Sequence, residues 1–233
     1  MKKHGGCLDL EVHFASKERR VWNSNTKVGS MKIQPLSPAL GAEILNVDLS
    51  QPTDNDAFSK IKQAWIDHLI ILFRDQSLDE HQQAAFCGRF GTLVASVKPN
   101  LEVRKGQHPA VMYVSNIKEN GKLIGSLPDG EMYFHSDQCH SERPAMATML
   151  YAMEIPSKGG DTLFANMYRA YETLPNELKE KLSGRIAENI YDYQSETLTR
   201  RGSKIGEGVK HYAHPVFRTH PKTQRKARFM STA

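Results

Sequence analysis

Gly130-Glu131-Met132-Tyr133-Phe134-His135-Ser136-Asp137 is the stretch on which the reading of this chain turns. On an extended strand, residues i and i+2 project to the same face. The His135 imidazole and the Asp137 carboxylate can then converge on one metal ion while Ser136 faces away. One neutral nitrogen and one hard oxygen suit Fe(II), and a second His from elsewhere would complete a 2-His-1-carboxylate triad with open positions for a co-substrate and O2. Alone the triplet is a weak signal, more readily satisfied by a hydrogen bond between His135 and Asp137 on a solvated strand. Its surroundings have to decide.

Downstream, short β-prone pieces alternate with turns. Residues 111–114, 133–134, 146–153, 162–164 and 213–219 are candidate strands, and Asn120-Gly121, Pro128-Asp129-Gly130 and Lys158-Gly159-Gly160-Asp161 are candidate turns. Asn166 can cap a helix over residues 167–174, and Leu178, Leu182 and Ile186 mark a second one. Upstream, Thr53 and Asp56 have the form of a capping box ahead of Phe58, Ile61, Ala64 and Trp65 at helical spacing. The run from Leu69 to Phe73 reads as a buried strand. Ser77 and Glu80 form another capping-box pattern before Ala84, Ala85, Phe86 and Phe90, with Gly91 as the stop. Residues 1–30 show no sustained apolar period and are read as a poorly ordered extension, with one domain over 31–233 and Met31 as an alternative start.

A chain of 233 residues with 39% hydrophobic and 24% charged residues is an ordinary globular one, which excludes collagen-like, coiled-coil and wholly disordered readings. No apolar run approaches the roughly 18–20 residues needed to cross a bilayer, so no membrane partner is expected. The net charge of +5 belongs to the ends. Residues 200–228 hold nine Lys and Arg against one acid, whereas residues 31–199 hold 16 basic against 22 acidic groups. Neither end interleaves aromatics with its basic residues as a stacking platform for bases would, so no nucleic-acid partner is expected. Cys7, Cys87 and Cys139 stand far apart without a C-x-x-C, which fits a reducing, cytoplasmic setting.

Three blocks in order change the weight of the His135-Ser136-Asp137 triplet. They are the opening stretch, then Pro144-Ala145-Met146-Ala147-Thr148-Met149-Leu150-Tyr151-Ala152, then Ile155-Pro156-Ser157-Lys158-Gly159-Gly160-Asp161-Thr162-Leu163-Phe164-Ala165-Asn166. Together they resemble the TauD/TfdA-like (taurine/2,4-D) family of Fe(II)- and 2-oxoglutarate-dependent dioxygenases. Leu36 to Leu49, Leu72-Phe73-Arg74-Asp75-Gln76 and Ala213-His214-Pro215-Val216-Phe217-Arg218-Thr219-His220-Pro221 are similar to further segments of it, so the likeness runs from about Met31 to Arg228.

The resemblance implies a mainly β fold with flanking helices around a double-stranded β-helix, or jelly-roll. It implies Fe(II) with 2-oxoglutarate and O2 as co-substrates, and hydroxylation of a small organic anion (sulfonate, sulfate ester or carboxylate) with release of succinate and CO2. By position, His135 and Asp137 match two iron ligands, and Thr162 matches the residue that contacts the 2-oxoglutarate carboxylate. Asn116 and Tyr133 are candidates for lining a substrate pocket. The family's distal His and its 2-oxoglutarate Arg lie downstream of the 213–221 block, and no matching segment occurs before Ala233. The domain is therefore expected to lack its last strands, with His214 or His140 as the candidates to replace the missing ligand. Unpaired edges would then favour strand swapping or a homo-oligomer. The alternative function is that of an inactive truncated member acting only by binding or oligomerising.

Overall fold

The computed structural model describes residues 10–15, 30–94, 108–123, 125, 134–191, 205 and 208–229. They form β1 (Leu10–Ala15), β2 (Lys32–Pro35), β3 (Ala42–Leu45), α1 (Asn55–His68), β4 (Ile71–Arg74), α2 (Glu80–Gly88), β5 (Lys118–Glu119), β6 (Lys122–Leu123) and β7 (Ala147–Tyr151). After these come α3 (Met167–Glu172), α4 (Asn176–Leu182), β8 (Ile186–Tyr191), β9 (Lys210–Pro215), β10 (Phe217–Thr219) and β11 (Lys226–Arg228). The chain divides into two compact units, one comprising Glu11–Met132 and Met149–Gly160, the other Met1–Leu10, Tyr133–Thr148 and Asp161–Ala233. No helix among the described residues is long and apolar enough to cross a membrane.

The first unit is built on a sheet of order β2-β3-β4-β1-β7. β2 and β3 pair antiparallel with Ile33 opposite Ile44, and β3 and β4 pair parallel with Ala42 opposite Ile71. A parallel pair needs a crossover, and α1 supplies it. Phe58, Ile61, Ala64 and Trp65 of α1 and Ala84 and Phe86 of α2 are buried with Ile71 and Phe73 of β4. Their rings meet edge to face, Phe58 on Phe90 at 4.9 Å, Trp65 on Phe90 at 5.3 Å and Phe73 on Phe86 at 5.8 Å. Such pairs add about 0.5–1.5 kcal/mol each beyond the area they bury. Tyr151 of β7 accepts from the Leu78 amide and donates to the Gln76 carbonyl, both at 3.2 Å. The Glu80 carboxylate takes the His108 amide at 2.7 Å and the Tyr113 hydroxyl.

Both helices form where expected, with different caps. Asp54, not Thr53, accepts from the Ala57 amide at 2.7 Å. Asp79 and Gln82, not Ser77 and Glu80, make the reciprocal capping box. Each carboxylate stands one or two residues nearer the first turn, where its charge also meets the positive end of the helix dipole. Leu10–Ala15 form a strand parallel to β4, with Val12 opposite Ile71, inside the leader read as unpatterned. Leu10, Val12 and Phe14 alternate with Glu11, His13 and Ala15, a period-2 signal only six residues long.

The second unit carries the antiparallel pair β8 and β9, from Ile186 opposite Pro215 to Tyr191 opposite Lys210. It also carries the pair β10 and β11, with α3 against β11. Asn166 caps α3 as expected, accepting from the Tyr168 and Arg169 amides at 3.0 and 3.1 Å. The expected second helix stops at Leu182: Gly184 turns at φ 71° and Ile186 opens β8. The strand expected over 213–219 is interrupted at Val216, whose amide bonds to the Arg185 carbonyl at 2.9 Å while its carbonyl takes the Phe229 amide at 2.7 Å.

Other expectations shift with local chemistry. Asn120 and Gly121, both at positive φ, make the two-residue turn between β5 and β6. Of the strand expected at 111–114 only a bridge at Val114 remains, and residues 162–164 have no regular structure. The turn at 128–130 and Tyr133 lie outside the described residues.

Candidate functional site

The H-x-D triplet does not sit on a strand. Residues 135 and 136 are irregular and residues 137–140 form a turn, closed by the Cys139 amide on the Ser136 carbonyl at 3.3 Å and the Ser141 amide on the Gln138 carbonyl at 2.9 Å. Gln138, at φ 55°, takes the left-handed conformation that bends the chain directly after Asp137. The convergence expected of strand alternation is thus achieved by a turn. His135 Nε2 lies 3.2 Å from Asp137 Oδ1, and both side chains remain open to solvent, 40% and 36% exposed.

Asp137 uses its two oxygens differently. While Oδ1 faces His135, Oδ2 accepts the Thr148 hydroxyl of β7 at 2.6 Å. The hydrogen bond with His135 lowers the Asp137 carboxyl below its ordinary range; burial opposes this, and the bond from Thr148 adds to it. The result is an ionised carboxylate with one oxygen tethered and the other aimed. Thr148 was not foreseen. Its signal was faint, a lone hydroxyl in the apolar run Ala145 to Leu150.

The pair fits two adjacent positions of a metal ion. Two bonds of about 2.1 Å meeting near a right angle place their donor atoms about 3 Å apart, close to the separation of 3.2 Å found here. Among the described residues, no group of three or more His, Cys, Asp or Glu side chains gathers to hold a metal.

The histidines weighed as replacements have other engagements. His214 is 3% exposed, and its Nε2 donates to the Ser141 carbonyl at 2.9 Å. Its ring stands 5.1 Å from Phe229 and 4.8 Å from Tyr212. Burial keeps its pKa below the usual histidine value, against the hydrogen bond to Ser141. His140 stacks at 4.7 Å on Tyr191, and burial together with the Lys210 charge lowers its pKa. His220 Nδ1 accepts from the Thr223 amide at 3.1 Å, and His211 Nδ1 lies 2.6 Å from Glu188 Oε1.

Thr162 stands exposed in an irregular stretch, just after Gly159 and Gly160 at φ 76° and 73°. A Cβ on Gly160 would lie 3.2 Å from Pro156 Cγ, so the turn ahead of Thr162 needs glycine for its dihedral angle and for space. Asn116 is exposed in the first unit. The basic C-terminal stretch is partly internal: Arg218 is buried with its guanidinium 4.4 Å from the Phe229 ring. Arg225 packs over Tyr168 at 4.2 Å and pairs with Glu172 at 2.6 Å.

Comparison with known proteins identifies the family. Residues 32–233 match the family model described as "Taurine catabolism dioxygenase TauD, TfdA family". The α-ketoglutarate-dependent 2,4-dichlorophenoxyacetate dioxygenase of Cupriavidus pinatubonensis is 28% identical over 213 residues, 86% of this chain and 73% of that protein. The α-ketoglutarate-dependent sulfate ester dioxygenase of Pseudomonas putida is 31% identical over 208 residues, 84% of this chain and 65% of that protein. A taurine dioxygenase crystal structure from Burkholderia xenovorans superposes with a TM-score of 0.63 at 24% identity, over 88% of this chain and 65% of that one. That likeness gives the fold, the jelly-roll class expected from the sequence. With a family model spanning 202 residues of the chain, the protein belongs to the TauD/TfdA family of dioxygenases.

Proposed function

We propose that this chain is an Fe(II)- and 2-oxoglutarate-dependent dioxygenase that hydroxylates a small organic anion, a sulfonate, sulfate ester or carboxylate. The observation that carries the reading is the 3.2 Å approach of His135 Nε2 to Asp137 Oδ1 with the other carboxylate oxygen tethered by Thr148. His135 and Asp137 would hold the iron, and the Thr162 hydroxyl would contact the 2-oxoglutarate carboxylate. Iron with 2-oxoglutarate and O2 supplies the oxidising power for hydroxylation of an unactivated C–H bond, with succinate and CO2 released. The protein's part is to present an imidazole nitrogen and a carboxylate oxygen at a fixed angle. The lowered Asp137 pKa keeps that carboxylate charged throughout the neutral range. Relatives named for a phenoxyacetate and a sulfate ester support an anionic substrate.

One observation favours a second reading, a family member that binds without turning over. Among the described residues no third protein ligand joins the pair, and His214 and His220 each have a ring nitrogen hydrogen-bonded elsewhere. Anaerobic addition of Fe(II) and 2-oxoglutarate decides between the two. An active enzyme gives the visible metal-to-ligand charge-transfer band and, on admission of O2, succinate; both signals vanish in His135→Ala. A folded protein that gives no succinate, with or without the band, would establish the second reading.

A further inference from the structure

The turn that carries the metal pair has no helix or strand of its own from residue 134 to residue 146, so its shape depends on what grips it from outside. Thr148 grips Asp137 itself. The other end of the turn is gripped by His214, whose Nε2 lies 2.9 Å from the Ser141 carbonyl across 73 residues of sequence. His214 sits on β9 opposite Ala187 of β8, so its backbone belongs to a paired ladder. Its ring is 3% exposed, bounded by Phe229 and Tyr212. A buried imidazole in contact with a backbone carbonyl is a donor at that nitrogen, and water has no ready access to replace it.

We propose that His214 is a positioning residue of the metal site, one that acts through the Ser141 carbonyl to hold the 136–141 turn and so sets the angle at which Asp137 and His135 meet the metal. The role rests on the metal reading above and differs from ligation, since His214 Nε2 is engaged with the Ser141 carbonyl. Outer groups that orient ligands typically change metal affinity about 10–100-fold when removed. Gln can place an amide donor near the position of the imidazole Nε2; Leu fills similar space and cannot donate.

The test is a titration of the full chain with Co(II) alone, followed by its visible d–d absorption, for the unaltered protein, His214→Gln, His214→Leu and His135→Ala. The expected result is His135-dependent Co(II) binding that weakens about tenfold or more in His214→Leu, with an altered band shape, and recovers in His214→Gln. Unchanged affinity and band shape in folded His214→Leu would overturn the positioning role and leave the metal reading standing. Absence of any His135-dependent binding in the unaltered protein would overturn both together. Should His214→Leu not fold, nitrogen-15 histidine spectra of the unaltered protein take its place. A slowly exchanging Nε2–H on His214 that shifts when Zn(II) is added supports the role. An Nδ1–H tautomer, or a signal indifferent to Zn(II), refutes it.

Discussion

The sheet unit and the segment from 134 to 146 are ordered by different means. Around β4 the chain is held by apolar side chains that recur at regular spacing, so Phe58, Trp65, Phe73 and Phe86, from elements that each have their own hydrogen-bond ladder, interlock with Phe90 in the turn after α2. From 134 to 146 there is no ladder, and single side chains tether single atoms: Thr148 on Asp137 Oδ2 and His214 on the Ser141 carbonyl. Apolar packing is non-directional and tolerant of small displacement, whereas a tethered oxygen fixes an angle. The chemistry the site is proposed to support needs the second kind of order, laid over stability supplied by the first.

Substitutions should therefore separate stability from metal binding. Phe86→Ala removes a ring that touches Phe58, Phe73 and Phe90 and should cost about 3–5 kcal/mol in denaturant unfolding. Thr148→Val keeps the shape of the side chain, frees Asp137 Oδ2 and should weaken Co(II) binding about tenfold, with unfolding nearly unchanged. If unfolding moved and Co(II) binding did not, the contrast between the two regions would fail.

Acidification gives a smaller, shared effect. Burial lowers the pKa values of His140, His214 and His220 in the fold from the ordinary value of 6.5. Below about 6.5 the unfolded chain then binds more protons than the folded one, so stability is full above that pH and falls as pH drops toward the folded values. A thermal melt series from about pH 7.5 to 5.5 should show a decline of a few degrees. The slope should flatten in His220→Asn, whose carboxamide oxygen can still accept from the Thr223 amide that His220 Nδ1 now takes. Smallest is the capping box: Asp79→Ala should cost about 1 kcal/mol in the same melts, and Ser77→Ala close to nothing.

That last pair also measures how far the sequence could be read. Both N-terminal helices, the β4 strand and the caps' approximate places were legible, because apolar spacing and cap chemistry are local. Which of Ser77 or Asp79 takes the first turn was not, since either can cap and the choice depends on where the chain leaves β4. The break at Val216 was equally hidden: it follows from hydrogen bonds to Arg185 and Phe229, one 31 residues back and the other 13 ahead.

At the site, His135, Asp137 and the glycine turn before Thr162 were legible as residue types in a recognisable order. Their conformation was not, and the expected strand is a turn bent at Gln138. The amino-acid sequence by itself determined the family, the donor atoms on offer and the apolar periods that build the sheet unit, all properties of neighbours along the chain. Only the tertiary structure decided that Thr148 aims Asp137 and that His214 spends its donor on the Ser141 carbonyl. A hydrogen bond across 73 residues leaves no periodic trace in sequence, because it needs one donor, one acceptor and the packing of Phe229 and Tyr212 to bring them together.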